Sequence, residues 1–107
     1  MDKANQLLAQ GRMPEAADAY SDVISKDPRN YQALYRRATV YLALGQTKKA
    51  LPDLNQVLTI RTDFDKARTQ RGDIYVKQGE YELAQEDLKD NAAKRQLIQV
   101  FKSYIEY

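Results

Sequence analysis

The stretch YRRATVYLALGQTKKALPDL, residues 35–54, has the apolar spacing of one long amphipathic helix, yet it contains Gly45 and Pro52. Neither residue belongs deep inside a helix. Reading outward resolves the conflict. Gly11, Gly45 and Gly79 recur at intervals of 34, as do Ala16, Ala50 and Ala84. Leu7, Tyr41 and Tyr75 form a third column, Ala4, Ala38 and Gly72 a fourth, and Tyr20, Leu54 and Leu88 a fifth. Columns in register at one period mark an internal repeat. Gly45 therefore sits in a turn between two helices, with Thr47 as the expected N-cap of the second and Pro52 near its first turn.

Each unit reads as helix A, a glycine turn and helix B. In the first, A runs to about Gln10 and B from Pro14 to Lys26, closed by DPRN at 27–30. Proline near a helix start is favoured, and proline after a helix stops it. In the second, A is Tyr31–Leu44 and B is Lys48–Ile60; in the third, A is Lys66–Gln78 and B starts near Glu80. Ala38 and Ala50 are the expected small residues where A crosses B, flanked by Leu34, Tyr41, Leu54 and Val57. Leu34, Ala38 and Tyr41 share one helix face, which a lone hairpin cannot bury but stacked neighbours can.

Composition narrows the chemistry. The chain has 107 residues, 43% apolar and 30% charged, with a net charge of +2. That balance suits a folded domain and gives no electrostatic reason for nucleic acid or an anionic membrane. With no cysteine and no histidine, disulfides, cysteine metal sites and histidine acid–base chemistry are absent. No apolar run reaches membrane-spanning length. No phosphate-binding or calcium-loop pattern occurs.

A 34-residue helix–turn–helix unit with small residues at its eighth and twentieth positions resembles the tetratricopeptide repeat. Counted from Tyr31, the residues Leu34, Ala38, Tyr41, Gly45, Ala50, Leu54 and Val57 fall on that motif's columns. The third unit departs: Arg68 and Asn91 stand where apolar residues are expected, and no proline closes it. The stretches NYQALYRRATVYLALG, KALPDLNQVL and KQGEYELAQEDLK look more specifically like the N-terminal repeats of the endoplasmic-reticulum co-chaperones that join such repeats to a J domain. That family is also described as inhibiting a double-stranded-RNA-activated protein kinase. The J-domain His-Pro-Asp signature needs a histidine, so the resemblance implies a piece from the N-terminal side. It also implies an all-α, right-handed solenoid, the lumen of the endoplasmic reticulum (otherwise the cytoplasm), and a surface that holds unfolded client polypeptide.

The expected organisation is repeat 1 at 1–30, repeat 2 at 31–64, an atypical repeat 3 at 65–91 and a C-terminal helix at 92–107, as one continuous domain. Leu97, Phe101, Tyr104 and Ile105 give that last helix an apolar stripe, with Asp90 or Asn91 as its cap. It either caps the third repeat or docks elsewhere. The chain is expected to be a monomer, with this helix as the place where self-association would occur.

In this architecture the A helices line a groove. Tyr35, Thr39 and Leu42 form a second stripe there, matched by Asn5 and Leu8 in the first repeat and by Thr69, Asp73 and Val76 in the third. Such a surface suits an extended apolar segment. Some family members instead grip the C-terminal carboxylate of a heat-shock chaperone with lysine, asparagine and arginine donors. Those positions here hold Met1, Asn5, Arg36, Lys66 and Gln70, and only Asn5 and Lys66 match. Carboxylate docking is thus the alternative, beside a repeat scaffold with no natural ligand. Arg36, Arg37, Arg68 and Arg71 could form a basic stripe, but acidic residues are nearly as numerous. Glu86 and Asp87 read as solvated charge, and Asp18 and Asp22 as a mildly repelling i,i+4 pair. The expected function is non-catalytic polypeptide binding, with no cofactor, metal, nucleic acid or membrane.

Overall fold

A computed structural model describes residues 1–105. Those residues form seven helices and no strand: α1 (Asp2–Ala9), α2 (Met13–Lys26), α3 (Tyr31–Ala43), α4 (Thr47–Ile60), α5 (Asp65–Lys77), α6 (Tyr81–Asp87) and α7 (Ala92–Ile105). The chain divides into two compact units, Met1–Phe64 and Asp65–Tyr107. The first holds α1–α4, with α2 packed on both α1 and α3, and α3 paired with α4. In the second, α6 packs on both α5 and α7.

The glycine column has a backbone cause. Gly11, Gly45 and Gly79 have φ of 74°, 73° and 77°, a left-handed conformation that disfavours residues with a Cβ. Each closes an A helix with the same pair of hydrogen bonds. The Gly45 amide donates to the Leu42 carbonyl at 3.0 Å and the Gln46 amide to the Tyr41 carbonyl at 2.7 Å. Gly11 with Arg12, and Gly79 with Glu80, repeat this on Leu8 and Leu7, and on Val76 and Tyr75. The residue after each glycine is at once the end of this motif and the N-cap of the following helix. That dual role corrects the expected cap: Gln46 is the N-cap, without a side-chain bond, and Thr47 is already helical. Pro52 falls in the second turn of α4, inside the helix.

The small columns are buried at the A–B crossings. Ala38, Ala50, Leu54 and Val57 are fully buried and Leu34 almost so. Gly72 is not interchangeable with the alanines of its column. A Cβ built on it would lie 2.6 Å from Leu88 Cγ, 2.8 Å from Leu88 Cδ2 and 3.1 Å from Asp87 Cβ. The α5–α6 crossing has closed onto the missing methyl group. Replacing a mid-helix glycine with alanine ordinarily stabilises by roughly 0.5–1 kcal/mol. Here Gly72→Ala should instead destabilise by about 1–2 kcal/mol through overpacking. A melting temperature at or above the parent's would show that Leu88 yields freely.

The third unit's B helix is half the length of its predecessors: α6 has 7 residues, whereas α2 and α4 have 14. Asn91 explains the stop. Its Oδ1 accepts from the Lys94 amide at 3.1 Å, making it the cap of a new helix, so the chain must leave helical geometry before it. Asn30 caps α3 in the same way, from Ala33 at 3.0 Å.

From Asn91, α7 folds back onto α6, but not on the expected stripe. Ile98 is the buried contact, joining Ala84 and Leu88, with Tyr75, Val76 and Tyr81 around them. Leu97, Tyr104 and Ile105 are exposed, and Phe101, partly so, lies 6.2 Å from the Tyr81 ring. The inward face is therefore one residue out of step with the reading from spacing, because Lys94 and Lys102 reach Asp73 and Glu82 from the same side as Ile98. The last two residues of the expected 92–107 helix lie outside the described residues.

Candidate functional site

Arg37 and Arg71 are repeat-equivalent in the sequence, but the aspartate column opposite them went unread. Arg37 on α3 chelates Asp53 on α4, with Nε to Oδ2 at 2.8 Å and Nη2 to Oδ1 at 2.7 Å. Thirty-four residues on, Arg71 and Asp87 repeat this with the same two distances. Asp53 and Asp87 are buried, so Asp87 is not solvated charge as expected; Glu86 is, pairing at the surface with Lys89. Each arginine also lies over the tyrosine one turn later, Tyr41 at 5.6 Å and Tyr75 at 5.9 Å. Hydrogen bonding to the carboxylate raises both guanidinium pKa values above their ordinary range, against burial that pulls them down. Arg68 stands 3.7 Å from Asp87. Three of the four arginines that could have formed a basic stripe thus face carboxylates. The matched spacing of Arg37–Arg71 and Asp53–Asp87 was the signal available.

In the first unit the groove candidates take different roles. Asn5 Oδ1 accepts from the Tyr20 hydroxyl at 2.5 Å. Burial raises the Tyr20 phenol pKa, while the nearby Arg36 pulls it down. Asn5 and Arg36, two of the carboxylate-clamp positions, therefore converge on one buried tyrosine. Met1, a third such position, is partly buried and accepts from Asn30 through its sulfur at 3.6 Å. Leu8 packs on the cluster of Ala4, Ala16, Ala17, Tyr20, Ala33 and Val40.

Tyr35, Thr39 and Leu42 are all half-buried. The Thr39 hydroxyl is satisfied by the Tyr35 carbonyl at 3.1 Å, so the stripe presents methyl, ring and isobutyl surface rather than an unmet donor. Tyr35 meets Phe64 edge-on at 5.1 Å, and Tyr31 meets the same ring at 5.5 Å. Arg61 lies 5.0 Å from the Tyr31 ring centroid and donates to its hydroxyl at 2.8 Å. Phe64, at the end of a turn, carried no periodic signal.

In the second unit Lys66 is exposed. Asp73 is held by Lys94 of α7 through both oxygens at 2.8 Å. Val76 lines a small cleft of about 220 Å³ with Asp73, Lys77, Leu88, Lys94, Leu97 and Ile98. The groove positions of this unit are therefore partly covered by the chain's own last helix. No group of three or more potential metal ligands occurs among the described residues. No helix there is long and apolar enough to cross a membrane.

Family models for the tetratricopeptide repeat match residues 1–67 and 65–90. The chain belongs to the tetratricopeptide repeat family. Among its relatives, DnaJ homolog subfamily C member 3 from Homo sapiens is 40% identical over 111 residues, covering 96% of this chain and 22% of that protein. The chain thus spans about a fifth of the length of that curated relative. Among solved tetratricopeptide structures, the P58(IPK) TPR domain is 44% identical with a TM-score of 0.80, covering 82% of this chain and 24% of that one. The first TPR of Spaghetti (RPAP3), solved bound to the HSP90 peptide SRMEEVD, is 25% identical with a TM-score of 0.85, covering 95% and 89%. The tetratricopeptide fold expected from the 34-residue period, and the likeness to the DnaJ-type co-chaperones, both stand.

Proposed function

We propose that this tetratricopeptide chain is a protein-interaction module of the co-chaperone type, without catalysis, that holds an extended apolar segment of a client polypeptide. The carrying observation is the half-buried, uncharged stripe Tyr35–Thr39–Leu42, whose Thr39 hydroxyl is already satisfied. A surface of that kind gains from contact with apolar side chains and asks for no particular hydrogen-bond partner. The kinship with DnaJ homolog subfamily C member 3 supports the same reading. The same reading sets the chain's work in the lumen of the endoplasmic reticulum. Within the first unit, Asn5 and Leu8 border the surface in this reading.

The expected result is that the chain slows aggregation of a denatured client, and that Tyr35→Glu with Leu42→Glu needs several-fold more protein for the same effect at unchanged helicity. Equal suppression by the folded double variant would remove the stripe as the site.

A second reading comes from the peptide bound to the Spaghetti domain. It is capture of a chaperone's C-terminal carboxylate. With two of five donors in place, bidentate capture is poorly supported, and the peptide SRMEEVD should show no saturable binding below about 1 mM. Tight binding lost on amidation of its C-terminus would promote this reading over the first.

A further inference from the structure

We infer that Arg37 is a positioning residue: through Ser21 it sets where α3 lies along α2, and so aligns the Tyr35–Thr39–Leu42 stripe with Asn5 and Leu8 of α1. The alignment belongs to the first unit itself; only its effect on clients rests on the function proposed above.

Three N–H groups of one guanidinium join three helices. From α3, Arg37 donates through Nε and Nη2 to Asp53 of α4 at 2.8 and 2.7 Å, and through Nη1 to Ser21 of α2 at 3.0 Å. The Ser21 hydroxyl donates its own proton to the Ala17 carbonyl at 2.9 Å, which leaves its lone pairs to accept from Arg37. Asp53 grips the planar fork at two points, and the Tyr41 ring lies 5.6 Å from it. The third N–H is therefore aimed from the α3–α4 hairpin at one fixed place, and Ser21 occupies it. A slip of about 2 Å along α2 would carry the hydroxyl out of bonding range.

The apolar seam does not fix this placement by itself. α2 packs on both α1 and α3, so it relays the position of one to the other. Four of the six buried residues in that core, Ala4, Ala16, Ala17 and Ala33, are alanines. Such short side chains interlock shallowly, and apolar contact has no direction of its own. Hydrogen bonds do, and setting register is the best-attested use of buried polar groups.

A second tie lies one residue away on both helices. Tyr20, beside Ser21, donates to Asn5 of α1 at 2.5 Å, and Arg36, beside Arg37, lies close to the same hydroxyl. The pairing recurs in the sequence. Thirty-four residues after Ser21 and Arg37 stand Asn55 and Arg71, again a hydrogen-bonding side chain and a guanidinium. Displacing α3 along α2 would offset the stripe from Asn5 and Leu8, and an extended segment crossing both A helices would lose contact with one of them.

The test is Ser21→Ala, which removes one acceptor and leaves the Arg37–Asp53 pair whole. Alanine suits a helix interior better than serine, so the chain should stay folded, which a thermal melt checks. The chain has no cysteine of its own. Spin labels on Gln6→Cys of α1 and Gln32→Cys of α3, both exposed positions, therefore read the distance between those helices. Ser21→Ala should shift or broaden that distance by about 1–2 Å, and Ser21→Thr, which keeps the hydroxyl, should return it to the parent's. Without labels, Ser21→Ala should need at least about threefold more protein to suppress aggregation of reduced, unfolded lysozyme, and Ser21→Thr the parental amount. A Ser21→Ala distance that matches the parent's would overturn the assignment, and so would an altered distance with unchanged suppression. A parent that suppresses no aggregation would sink the client reading alone, and the distances would then decide the alignment.

Discussion

Asp87→Ala should destabilise the second unit by about 2–3 kcal/mol, and Asp53→Ala the first by a similar amount. Removing the carboxylate leaves a guanidinium that is only 20% exposed in either case. Breaking a buried ion pair on one side costs about 3–5 kcal/mol, less where water can still reach the survivor. Arginine cannot escape by losing its proton, because the guanidinium's ordinary pKa lies above any working pH. A double substitution, Arg71→Met with Asp87→Leu, should recover much of the loss, since two apolar side chains replace two desolvated charges. Urea unfolding of the four-member cycle gives the coupling energy directly. A coupling below about 0.5 kcal/mol would mean the pair behaves as surface charge, despite its geometry.

Truncation after Asn91 should cost the second unit about 3–5 kcal/mol at most. Ile98 is fully buried against Ala84 and Leu88, which alone contributes roughly 1.5–3 kcal/mol. The Phe101–Tyr81 contact and the Lys94–Asp73 pair go with it. These are upper bounds, since the unfolded chain already buries some of this surface. For a unit with so short a B helix, the loss should unfold α5 and α6 well before α3 and α4. Hydrogen exchange on residues 1–91 would show it as lost protection after residue 64 only. Full protection of α5 and α6 in the shortened chain would mean that α7 contributes little to holding them.

Much of this was legible because each repeat position answers one physical demand. The glycine column follows from a left-handed backbone, the alanine columns from close helix crossings, and both can be read from residue identity alone. What escaped depends on relations between residues. Asp87 looks like its exposed neighbour Glu86 until Arg71 is placed opposite it. Ile98 and Leu97 are adjacent apolar residues, and only where α7 lands on α6 decides which one turns inward. Asn91 could be read as a candidate cap of the last helix, and it is that cap, but the early end of α6 that goes with it was not foreseen. At the candidate site, Tyr35, Thr39 and Leu42 could be grouped by spacing. The Asn5–Tyr20–Arg36 convergence could not, because it joins three helices. Phe64 sits at a turn, where periodicity says nothing.

The three identical glycine closures also bear on how the chain acquires its structure. Each turn is held by hydrogen bonds between residues three and five apart, such as Gly45 to Leu42 and Gln46 to Tyr41. The ion pairs that clasp α3 to α4 and α5 to α6 join residues only 16 apart. Contacts this local close small loops, with little entropy lost before they begin to stabilise, and such topologies reach the native state fastest. A hairpin can therefore begin to pair its two helices as they emerge from the ribosome, and it gains its full stability when the next repeat stacks on it. The chain thus spends little time unfolded.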